Sequence, residues 1–183
     1  MSYKRWICIA VFLFGIGLAF GLTASAGIPG IIAEDITTLK ELAGLLASLP
    51  LPLVVVLLFI KNVSVMVIGF ALSPILCLAP ALALVVNGWV LGLVSVIVSQ
   101  EKSLGYVLAG LLPHGIFELP ALILAQAAAL SFGTMAILAL FKRERRNLLL
   151  PNLKQNLRYL VVALVLLVPA AIIETYVTPL FLT

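Results

Sequence analysis

His114 and Glu118 stand four residues apart in Leu112-Pro113-His114-Gly115-Ile116-Phe117-Glu118-Leu119-Pro120, inside a hydrophobic run long enough to enter a bilayer. His114 is the chain's single histidine. Imidazole and carboxylate groups carry protons and ligate cations, and in hydrocarbon a charged side chain costs about 2.5 kcal/mol or more at the bilayer centre. Partners or water must offset that cost. Lys61, Asn62, Asn87 and Glu174 also interrupt apolar runs and are the candidate partners.

With 64% hydrophobic and 10% charged residues in 183, and a mean hydropathy of +1.30, the chain is far from a soluble domain, where about a quarter of residues are charged. An integral, multi-pass protein of the cell membrane is expected, with the lipid bilayer as its surroundings. The net charge of +4 rests largely on Lys4, Arg5, Lys142, Arg143, Arg145 and Arg146, with Lys154 and Arg158 following. Membrane orientation accounts for that clustering, so no nucleic-acid partner is expected. Cys8 and Cys77 lie in apolar segments without CxxC spacing and read as packing residues.

A spanning helix needs about 20 apolar residues, which gives spans at about 6 to 26, 53 to 73, 77 to 98 and 159 to 182, and one overlong stretch at about 104 to 141. As a straight helix that stretch would be about 55 Å long against a core of about 30 Å. Pro113 and Gly115 therefore mark an expected break, so the fold is predicted as an all-α polytopic membrane protein of about five transmembrane helices with a broken or re-entrant fourth segment. Five crossings put both basic clusters on one side: N-terminus cytoplasmic, C-terminus outside. Residues 1–183 read as a single membrane domain. Residues 26–49 form an outer loop with an interfacial amphipathic helix from about residue 27, built on Ile36, Leu39, Leu42, Leu45 and Leu46, and 142–158 form a basic cytoplasmic loop at an anionic leaflet.

Lys4-Arg5, the apolar run from Trp6 to Leu22 and Ala24-Ser25-Ala26 follow the order of a cleaved signal peptide. A retained first helix is the stronger expectation, because Gly17 and Gly21 at GxxxG spacing suit packing on another helix. The same pair is the ground for expecting a homo-oligomer, with packing inside the chain as the alternative. Trp89, Tyr106 and Tyr176 read as interfacial or packing aromatics, and Gln126 as a helix–helix hydrogen bond.

Counted from the outer ends of the spans at about 1.5 Å per residue, Lys61, Asn62, Asn87, His114 and Glu174 all fall about 12 to 16 Å deep, with Glu118 one turn below. One shared polar cluster is expected. His114 and Glu118 share a helix face with Ala121, Ala125 and Ala129, and Glu174 shares one with Ala163, Ala170 and Ala171, so small residues let the polar groups meet. Three uses remain open. The cluster specifies packing, with Lys61 neutralising a glutamate; or it is a proton or ion site centred on His114; or His114, Glu118 and Glu174 are weak candidates for binding a metal. There is no HExxH, second histidine or serine beside a base, so no catalytic residue and no cofactor are assigned, and only that trio leaves an intramembrane metalloenzyme open.

The stretch Leu112 to Ala121 resembles the signature of the stage II sporulation protein M family. Phe59-Ile60-Lys61-Asn62, Asn87-Gly88 with Gly92, and Ile173-Glu174-Thr175-Tyr176-Val177-Thr178-Pro179 are similar to further elements of that family. The resemblance implies a multispan membrane protein. In spore formers the family's named member anchors a peptidoglycan-degrading complex without carrying its hydrolase activity, which implies here a scaffold or organiser of other membrane or envelope proteins. The alternative is a small ion- or proton-coupled transporter or channel using the mid-membrane cluster.

Overall fold

The computed structural model describes residues 3–24, 44, 48–75 and 77–182. Five α-helices dominate, and no β-strand occurs among the described residues: α1 (Tyr3–Ala24), α2 (Leu51–Ala71), α3 (Leu78–Glu101), α4 (Leu104–Phe141) and α5 (Arg146–Tyr176). Each is long and apolar enough to cross a membrane. Short 3-10 turns at Arg143–Arg145 and Thr178–Phe181 bound α5. The amphipathic helix expected within 26–49 falls, apart from residues 44, 48 and 49, outside the described residues.

Local sequence explains where the helices begin. Pro52 sits in the first turn of α2, where its missing N–H is not needed, and the Ser103 hydroxyl caps α4 by accepting from the Tyr106 N–H at 3.2 Å. Cys77 initiates α3 in the left-handed region at φ 57°, which lets the chain reverse after α2.

α4 is the centre of the bundle and touches all four other helices. Ala121, Ala125, Ala127, Ala128 and Ala129 are fully buried there, and α5 presents buried Ala163, Ala170 and Ala171. These methyl-sized side chains allow the close backbone approach that drives helix association in lipid, where burial of apolar area contributes little.

The expected break in α4 is absent: the helix runs unbroken through Pro113 and Pro120. Each proline releases one carbonyl, that of Ala109 or Ile116. A break at Pro113–Gly115 would free several backbone groups at each new helix end, in surroundings where an unpaired group costs several kcal/mol. Continuity is the smaller loss. The surplus length instead extends past the other helices. Gly133 faces the Ser73 carbonyl, and the Cys77 thiol lies 3.7 Å from the Leu130 carbonyl and 3.6 Å from Thr134 Oγ1, so the α2–α3 turn is level with residues 130–134. About 10 Å of α4 continues beyond that level.

The basic segment 142–158 is likewise not a loop. Lys142 and one 3-10 turn suffice for the reversal, and α5 begins at Arg146. The end of α4 and the first turns of α5 thus form a projecting helical hairpin, with Leu140 73% and Phe141 81% exposed beside its cations.

The second seam joins α1 and α3. A Cβ on Gly17 or Gly21 would run into the backbone of Val85 or Trp89, and one on Gly88 or Gly92 into the backbone of Phe14 or Leu18. The two GxxxG pairs therefore serve each other within one chain, which removes the ground on which a homo-oligomer was expected.

Candidate functional site

Five polar residues of four helices line one half-open cavity of about 210 Å³: Lys61 of α2, Asn87 of α3, His114 and Glu118 of α4, and Glu174 of α5. Phe14, Leu111 and Leu122 supply part of its apolar wall. The helical register of α4 puts His114 and Glu118 on one face, and the alanine contacts between α4 and α5 bring Glu174 to them. His114 Nε2 lies 3.9 Å from Glu118 Oε2, too far for a hydrogen bond. One ligand atom each from His114, Glu118 and Glu174 falls within 4.8 Å of the others. Among the described residues, this is the group of His, Cys, Asp or Glu side chains close enough to share a cation.

The second ring nitrogen is met from the 3-10 turn that follows α5: His114 Nδ1 is 3.3 Å from Thr178 Oγ1, and Thr178 is itself buried. Asn87 commits one amide N–H to its own helix by donating to the Ala83 carbonyl at 2.7 Å, which leaves its carbonyl oxygen and its second N–H as groups it can offer the cavity. Above the cavity, towards the end where α3 stops and α4 starts, lies an apolar pocket of about 240 Å³ that includes Tyr106, Val98 and Leu182. The two share Leu91, Val94 and Leu111 as walls. On the opposite side the fully buried alanines of α4 close the bundle.

The family described as Stage II sporulation protein M matches residues 9–179. The chain belongs to this family. It is similar to an uncharacterized protein of Methanocaldococcus jannaschii, 26% identical over 174 residues that cover 94% of this chain and 93% of the relative. No solved structure gives a significant match.

In this member of the family, the motif residues His114 and Glu118 thus face Glu174 from the C-terminal stretch, with Lys61 and Asn87 around them. Asn62 does not line the cavity. It follows Lys61 directly, but successive helical residues point about 100° apart, so a depth shared with Lys61 does not by itself bring it to the cavity. Pro113 and Gly115 do not break the helix; Gly115 forms part of the cavity wall instead. Thr178 was not anticipated, although its place four residues after Glu174 was a readable signal for the same face.

A second polar cluster was also missed, at the root of the basic hairpin. Asn156 is 1% exposed; its amide nitrogen donates to the Asn152 carbonyl at 2.9 Å, to Asn152 Oδ1 at 3.0 Å and to Ser131 Oγ at 3.4 Å. The four-residue spacing of Asn152 and Asn156 carries the signal only once that segment is read as helix. Gln126 behaves as expected, donating to the Val65 carbonyl at 3.2 Å.

Proposed function

We propose that this protein is a small cation- or proton-coupled membrane transporter whose binding site is the cavity between His114, Glu118 and Glu174. The observation that carries this reading is the space itself. A cluster serving packing alone closes onto direct bonds, because unpaired ionisable groups in an apolar interior are costly. Here the three groups line a half-open volume sufficient for several waters, beside an apolar pocket that shares its wall. This reading assigns the chain no catalysis. In liposomes with an imposed pH or cation gradient, the protein is expected to dissipate the gradient, and Glu174→Gln to abolish the flux while leaving thermal stability near that of the parent. An amide retains hydrogen bonding but neither titrates nor ligates cations well. Gradients that decay no faster than in protein-free liposomes would sink the transport reading.

A scaffold for other membrane proteins is the second reading. It is favoured by the projecting hairpin, where exposed Leu140 and Phe141 adjoin Lys142, Arg143, Arg145 and Arg146, a surface suited to an acidic partner with an apolar patch.

A further inference from the structure

We infer that the cavity binds one divalent first-row transition-metal cation through His114 Nε2 and one carboxylate oxygen each from Glu118 and Glu174, with Lys61 as a built-in competing cation. The inference rests on reading this cavity as a cation site and names the class of cation.

Four observations support it. First, the three ligand atoms already lie within 4.8 Å of one another, and the 3.9 Å between His114 Nε2 and Glu118 Oε2 is close to the separation of about 3.3 Å that two ligands at about 2.0 Å take around a tetrahedral ion. Small side-chain rotations close the remainder. Second, Thr178 Oγ1 stands at His114 Nδ1. An Nδ1–H donating to that hydroxyl fixes the tautomer with the Nε2 lone pair on the Glu118 side, the outer support that metal-bound histidines require. Third, the two carboxylates carry the charge of one divalent ion. The exposed Lys61 on the cavity wall adds a like charge that opposes the arriving ion. Fourth, one imidazole with two carboxylates suits manganese through zinc, whereas magnesium and calcium prefer all-oxygen shells. The volume leaves room for water at the open positions.

The three polar partners have different expected effects, and that makes the inference testable. The chelator-stripped protein in lipid nanodiscs is titrated calorimetrically with Zn²⁺ and with Mn²⁺, and with Mg²⁺ as the hard-ion control. One Zn²⁺ or Mn²⁺ per chain is expected, with Mg²⁺ binding far weaker. Glu174→Gln should weaken affinity at least about 100-fold, and Thr178→Val, which touches no ion, by about 10- to 100-fold. Lys61→Met should tighten affinity on the order of tenfold, since it removes a like charge. A residue that served packing alone would not tighten binding on removal. Absence of saturable Zn²⁺ and Mn²⁺ binding overturns the inference, as does Lys61→Met binding more weakly than the parent. Should Glu174→Gln fail to fold, Thr178→Val and Lys61→Met decide the matter by their opposite signs. Metal binding without flux in liposomes overturns the transport reading alone; proton flux by a protein that binds neither metal overturns this inference alone.

Discussion

Two glycines in α1, one turn-fraction apart, should respond in opposite directions to the same substitution. Gly17 is buried, and a Cβ there would overlap the Val85 carbonyl and Cα of α3. Those atoms are backbone and cannot swing aside, so Gly17→Ala must push α1 and α3 apart. Overpacking costs about 1 to 3 kcal/mol, and the depth of this overlap places it at the upper end. Alanine's better helix propensity returns about 1 kcal/mol, leaving about 2 kcal/mol of net destabilisation. Gly15 is exposed and has nothing within 4 Å of its Cβ position, so Gly15→Ala keeps only the gain of about 1 kcal/mol. At about 2 to 4 °C per kcal/mol for a chain of this size, the two variants should differ in Tm by about 6 to 12 °C. Thermal unfolding in a fixed detergent, with mass measured by light scattering on the same samples, reads both the sign and the oligomeric state. Equal shifts for the two variants would refute the seam as described, and so would a Gly17→Ala that leaves Tm alone but converts a dimer to a monomer.

Asn156→Ala removes three hydrogen bonds from a buried site at the root of the hairpin and should cost about 2 to 3 kcal/mol, read as lowered thermal stability. An unchanged Tm would mean that this cluster contributes nothing to holding α5 against α4. For orientation, a chain with Cys8 and Cys77 replaced and single cysteines at Arg145 or Thr183 should be labelled by an impermeant thiol reagent in intact cells at Thr183 and not at Arg145. Labelling at Arg145 alone would invert the topology drawn from the basic clusters.

The spans were legible because their signal does not depend on tertiary partners. About 20 apolar residues are needed to cross a bilayer, and the runs read at about 77 to 98 and 104 to 141 match Leu78–Glu101 and Leu104–Phe141 closely. The same signal failed at α5, where hydropathy marks the apolar part of a helix and not its beginning, so residues 146–158 were read as loop although they are helical. Pro113 and Gly115 misled for a different reason. Local propensity favours a break there, but the backbone groups that a break would leave unpaired in an apolar environment outweigh it. For the polar cluster, depth along each span groups His114, Glu118, Glu174, Lys61 and Asn87, which line one cavity in the structure, but it cannot reject Asn62, because depth ignores rotation about the helix axis.

The distribution of small residues also constrains how the cavity could open. The two most extensive helix contacts are α1 with α3 and α4 with α5, the first built on four glycines and the second on buried alanines. Both depend on backbone proximity, so separating either pair loses many close contacts at once. The cavity lies on the boundary between them: Phe14 and Asn87 come from the first pair, His114, Glu118 and Glu174 from the second, and Lys61 from α2 at the side. An opening that preserves both seams therefore moves one helix pair against the other as rigid bodies, the kind of motion by which bundles expose a central site to one side and then the other. In such a motion the proposed ligands His114, Glu118 and Glu174 travel together on α4 and α5, while Asn87 recedes with α3. The ligand set would stay assembled as access changes, and a site meant only to lock the two pairs together would instead have divided its charged groups between them.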